Sequence, residues 1–135
     1  MFVVGVLAIL FFVTNLTAAD AVITPPRQRA WAVLDKSLKA RSGGKRQALA
    51  AIATIACPDE DAVKRAEEAL QDKDPQVRQS AALALGQLHS PDAIPYLKEA
   101  LGDTNEVAFA AAKSLIDLGD KAGEDMLIEI GRAHV

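Results

Sequence analysis

The C-terminal two-thirds of this chain repeats itself at about thirty residues, and that period limits the fold more than any other feature. Val77-Arg78-x-x-Ala81-Ala82-x-Ala84-Leu85-x-x-Leu88 returns thirty positions later as Val107-Ala108-x-x-Ala111-Ala112-x-Ser114-Leu115-x-x-Leu118. Each copy reads as an Ala/Leu-rich helix, a short loop and a second helix. Such units bury their apolar faces only against their neighbours, so the pattern predicts an all-α fold, an α-solenoid of stacked antiparallel helix pairs. Apolar residues make up 50% of the chain but aromatics only 4%. A core of Ala, Leu, Ile and Val lets short helices stack at close range.

In the central copy, Asp74 supplies an N-cap oxygen and Pro75 occupies the first turn, where a missing N–H costs nothing. Positions 77, 81, 84, 85 and 88 then fall on one face of a 3.6-residue period, and His89-Ser90-Pro91 ends the helix. Asp92 opens a second helix through Ile94, Leu97 and Leu101, with Pro95 inside its first turn. The preceding copy runs Lys45–Ala56 and Asp59–Leu70. Two extra residues are placed there at Glu60-Asp61, in the turn between the helices. Arg27–Arg41 puts Ala30, Trp31, Leu34 and Leu38 on one face, which reads as a lone capping helix broken by Ser42-Gly43-Gly44.

The run Asp74-Pro-Gln-Val-Arg-Gln-Ser-Ala-Ala-Leu-Ala-Leu-Gly-Gln-Leu-His-Ser-Pro-Asp-Ala-Ile-Pro-Tyr-Leu97 resembles the short bacterial HEAT repeat, the type also found in phycobilisome-lyase-like proteins. The resemblance covers Lys45 to about Ile130. It implies a protein-binding scaffold and an Asp–Arg pair between neighbouring repeats, which Asp74 and Arg78 would supply; Asp74, Pro75 and Arg78 are therefore the structural candidates. The third copy has Asn105 and Ala108, so such a ladder should weaken there. Metal-dependent hydroxylases of the family use His-Glu pairs, but Ser90 follows His89, and that activity does not carry over. Tetrapyrrole binding of the lyase type has only the generic scaffold behind it.

The first nineteen residues differ from all that follows. Met1–Ala19 carries no charge and Phe2–Val13 is apolar apart from Gly5. A core of this length followed by Thr17-Ala18-Ala19 or Ala19-Asp20-Ala21 reads as a signal peptide, with cleavage near position 20. The alternative is an uncleaved hydrophobic anchor helix. Because the first positive charges, Arg27 and Arg29, follow the run, that helix would leave the repeats in the cytoplasm. At the other end, Ile130-Gly-Arg-Ala-His-Val135 matches one reading frame of a widely used sequencing adapter, so 131–135 is assigned to an adapter-derived tail. The expected organisation is signal peptide or anchor at 1–21, capping helix and linker at 22–43, and repeats at 44–71, 72–102 and 103–130.

Charge and chemistry narrow the function further. Asp20–Cys57 carries seven Lys/Arg against two acids, whereas Pro58–Val135 carries eight against sixteen. Nucleic acid needs basic residues gathered on one face, and the repeats have the opposite balance. Cys57 is the only cysteine and His89 has no neighbouring ligand type, so no metal or cofactor is expected. The carboxylate pairs read as solvated helix faces. The sequence therefore points to a non-enzymatic adaptor in the bacterial envelope that binds an unidentified protein. Membrane contact would run only through residues 1–19. The binding candidates are the outward positions of the second helices, Lys64, Glu67, Glu68, Tyr96, Lys98 and Glu99, with Tyr96 as anchor. The alternatives are a structural segment of a larger exported enzyme or a phycobilin-lyase-like protein.

Overall fold

A computed structural model describes residues 26–55 and 59–133. The hydrophobic run, both cleavage motifs, Cys57, Pro58 and His134 lie outside the described residues. Among those described are seven α-helices and one 3-10 turn, and no strand. The helices are α1 (Pro26–Leu38), α2 (Ser42–Ala53), α3 (Glu60–Ala69), α4 (Pro75–Gln87), α5 (Ile94–Ala100), α6 (Asn105–Asp117) and α7 (Lys121–Ala133). No helix among the described residues is long and apolar enough to cross a membrane.

The chain divides into two units, Met1–Lys36 and Ser37–Val135. Most of α1 falls in the first, where Trp31 and Leu34 are half-buried and Val33 is exposed. The second unit holds the repeats. In it the first helices α2, α4 and α6 stack in chain order, while α3 packs against α4 and α5 against α6. Each second helix thus sits on the first helix of the following pair and ties successive repeats together.

The core follows the sequence periodicity. Val77, Ala81, Ala84, Leu85 and Leu88 are all buried, as are Val107, Ala111 and Leu115 one repeat later. Among the described residues, eleven of the 21 buried apolar ones are alanine. With so little bulk between them the helix axes close up, and glycine at the contact carries this further. A Cβ on Gly86 of α4 would stand 2.6 Å from the Cβ of Ser114 on α6. Into that space the Ser114 hydroxyl points at α4 and donates to the Ala82 carbonyl at 2.8 Å. A buried polar group is therefore satisfied across two repeats.

Several boundaries differ from expectation. Ser42, Gly43 and Gly44 do not break a helix; they form the first turn of α2, and the break lies at Lys39–Arg41. A Cβ at Gly44 would lie 3.0 Å from Ala40 Cβ and 3.3 Å from the Ser37 carbonyl. This glycine lets the chain fold back closely on itself. Glu60 and Asp61 likewise belong to the first turn of α3, where acids suit the positive end of the helix, and Asp59 caps it by accepting from Asp61 N–H at 3.0 Å. Asp92 lies in the 3-10 turn Pro91–Ala93 that leads into α5.

The last pair closes differently from the others. Gly123 of α7 lies against the Ala112 carbonyl and Ile116 of α6, where any Cβ would overlap them. Thirty positions earlier the matching residues of α4 are Ala82 and Gly86, the ones that receive Ser114. So α7 covers the side of α6 that, on α4, a following first helix covers. It does so incompletely: Met126, Leu127 and Ile130 are half-buried, and Ile128 is 53% exposed.

Candidate docking groove between the second helices

The loops ahead of α4 and α6 are held by a ladder of charged pairs. Arg78, near the start of α4, reaches forward to the loop before α6, where Nε donates to Asp103 Oδ2 at 2.6 Å and Nη2 to Oδ1 at 2.7 Å. Its remaining nitrogen donates to the Asp72 carbonyl at 2.8 Å. One repeat earlier the Lys45 ammonium pairs with Asp72. Asp103 also accepts from Thr104 N–H at 2.6 Å and Asp72 from Asp74 N–H at 2.9 Å. The Lys45 and Arg78 hydrogen bonds hold the Asp72 and Asp103 carboxyls below the usual carboxylate range, and Asp103 in turn raises the affinity of Arg78 for its proton. A bidentate guanidinium–carboxylate pair fixes geometry as well as charge.

The Asp–Arg pair expected between neighbouring repeats is present through Arg78, but its acid is Asp103 rather than Asp74. Asp74 is the N-cap of α4, accepting from Gln76 N–H at 2.9 Å, and its carboxyl is lowered first by a hydrogen bond from Ser42. Pro75 fills the first turn of α4 as expected. The residue matching Asp74 in α6 is the N-cap Thr104, not Asn105, which is the first residue of the helix. The ladder does stop at the third copy, because buried Ala108 stands where Arg78 would be. The acids Asp72 and Asp103, and the cation Lys45, escape sequence reasoning because they lie 27 and 25 residues from their partners, outside any local motif.

Beside the ladder, α3 and α5 leave a groove with Tyr96 in its middle. On one side of Tyr96 is a hollow of about 470 Å³ lined by Leu70, Asp72, Arg78, Glu99 and Asp103 among others. On its other side is a hollow of about 660 Å³ bounded by Glu60, Val63, Lys64, Glu67, Pro91 and Asp92. Tyr96 borders both and is 43% exposed. Glu67 faces Asp92; burial first, and the Asp92 charge second, push its carboxyl above the usual range.

Of the six sequence candidates, Lys64, Glu67, Tyr96 and Glu99 come together along this groove. Exposed Glu68 borders neither hollow. Lys98 points to the α6–α7 loop instead, where its ammonium stands 2.8 Å from Asp120 Oδ2 and lowers that carboxyl. Asp120 in turn accepts from Ala122 N–H at 2.9 Å. Lys98 thus steadies the start of α7. Asp92 and Glu60, which periodicity places at a helix start and in an inter-helix turn, also line the groove, as do Asp72 and Asp103. No group of three or more His, Cys, Asp or Glu residues among those described is placed to hold a metal ion.

A stack of helix pairs joined by charged pairs between repeats defines a helical-repeat protein. Residues 38–116, more than half of the chain, match the family model for HEAT repeats, and the chain belongs to that family. Comparison with curated proteins gave no match. HEAT repeats commonly mediate protein–protein interaction.

Proposed function

We propose that this protein is a non-catalytic scaffold that docks another protein along the groove between α3 and α5. The observation that carries this reading is Tyr96: a large, rigid side chain with a polar tip, left 43% exposed between two hollows. Its surroundings are preorganised, since the charge ladder fixes the loops at one end of the groove and helix packing fixes its floor. Little ordering entropy then remains to oppose binding. The carboxylates with lowered proton affinity each have a structural partner, which favours a scaffold over acid–base chemistry.

Delivery to the envelope belongs to the same proposal and rests on the apolar run Phe2–Val13. The test is affinity capture from envelope and cytosolic fractions with wild-type chain and Tyr96→Ala. A protein recovered from the envelope fraction is expected to fall about tenfold with Tyr96→Ala, as for loss of one interface anchor of about 1.4 kcal/mol. Melting should be unchanged. Capture that ignores Tyr96 would remove the groove from the reading.

A further inference from the structure

We propose that the occupant of this groove is an extended cationic segment, with Lys or Arg side chains seated on both sides of Tyr96. This rests on the docking reading above and names the chemistry of its partner.

The argument begins with the charges left over once the ladder is satisfied. In the hollow beside Glu60, the carboxylates of Glu60, Glu67 and Asp92 stand against one ammonium, that of Lys64. None of these four forms an ion pair among the described residues. In the hollow on the other side of Tyr96, Asp72 and Asp103 are taken up by Lys45 and Arg78, and Glu99 alone is left without a cation. Among the described residues, both hollows therefore keep negative charge that no ion pair neutralises. The raised proton affinity of Glu67 is the local symptom, a carboxylate partly buried beside a like charge. An arriving ammonium or guanidinium would relieve that repulsion, whereas an acidic peptide or a phosphate backbone would add to it.

Shape selects an extended segment. The ten residues of α3 span about 15 Å at 1.5 Å each, a length that four or five extended residues cover. A peptide of that reach places two side chains on opposite sides of Tyr96, and an exposed aromatic ring can pack against a cation or the methylenes leading to one. Longer folded partners would have to present such a strand.

The test uses fluorescein-labelled hexalysine as the probe, titrated into the whole chain at low salt. Wild-type protein is expected to bind it, and hexaglutamate is not. Glu67→Gln/Asp92→Asn should weaken hexalysine about fivefold, as should Tyr96→Ala. Glu124→Gln/Asp125→Asn, the same loss of charge on exposed positions of α7, should change it less than twofold. Removing repulsion at Glu67 costs no stability, so a normal melting curve keeps the groove variant interpretable. Equal weakening by the α7 variant would reduce the effect to net charge and overturn the proposal. So would absence of hexalysine binding, or self-association of the chain as the only salt-sensitive contact. A captured partner that depends on Tyr96 but ignores Glu67→Gln/Asp92→Asn would leave the docking reading standing and remove its cationic chemistry.

Discussion

Single residues set the ends of the first helices, and the two ends that can be compared differ by one substitution. His89 follows the C-cap of α4 with φ +50°, while Gly119 occupies the matching place after α6 with φ +76°. In α6 the glycine completes a Schellman turn, Gly119 N–H donating to Ile116 O and Asp120 N–H to Leu115 O, each at 2.8 Å. His89 makes the equivalent bond to Gly86 O at 3.2 Å, with a Cβ crowded against its own backbone. His89→Gly should therefore stabilise the protein by about 0.5–1 kcal/mol, because relief of strain exceeds the extra entropy of the unfolded glycine. Urea unfolding would read this as a higher midpoint with unchanged slope; a lower midpoint would mean the imidazole contributes more than its backbone conformation costs. The exposed ring has no other burden to carry.

At the scale of helices, contact distance matters more than propensity. Alanine would normally be preferred to glycine inside α4 by about 1 kcal/mol. Gly86→Ala should nevertheless destabilise by about 1–3 kcal/mol, since the new methyl group would meet Ser114 and break the hydroxyl bond to Ala82 O. Ser114→Gly in the same chain should recover much of that loss in thermal melts; additive losses would place the strain elsewhere. This contact also marks the boundary of what the sequence reveals. The 3.6-residue stripe of Val77, Ala81 and Leu85, repeated at Val107, Ala111 and Leu115, is a local signal, and it locates α4 and α6. The position of Gly44 inside α2 was not legible, because a glycine pair looks the same in a break as in a tight chain reversal. Nor was the register of the ladder, for Arg78 and Asp103 meet only after two helices have been folded between them. In the groove, the outward positions of α3 and α5 followed from periodicity, which gave Tyr96, Glu67 and Glu99. Which of their neighbours would share a hollow depended on the packing of one repeat on the next, and so Asp92 was missed and Lys98 assigned to the surface rather than to Asp120.

Across the stacked unit as a whole, α3 and α5 each pack on the first helix of the following repeat. Helix α7 packs on α6 of its own pair at an approach that only Gly123 permits, and Phe109 and Ile128 are about half exposed. The charged loops between repeats add to this packing, and their carboxyls shift in the same direction. Asp72, Asp74, Asp103 and Asp120 all bind protons less readily in the folded chain than an ordinary carboxyl does. The unfolded chain then takes up more protons as pH falls, so the stability these groups supply is complete well above the ordinary carboxylate pKa of about 4. It drains away as the pH passes through that value and on through the lower folded ones. Glu67 works in the opposite sense: its raised affinity makes its charged form a small liability above the ordinary range, and protonation relieves it. Four depressed groups outweigh one raised group, and the net expectation is a melting temperature that is flat near neutrality and falls steeply below about pH 4. Asp72→Asn/Asp103→Asn should lower the neutral-pH plateau and flatten the acid limb, because two of the titrating pairs are gone while the asparagines still accept from Asp74 and Thr104 N–H. An acid limb as steep as wild type in that variant would show that the cohesion lost in acid comes from somewhere other than the ladder.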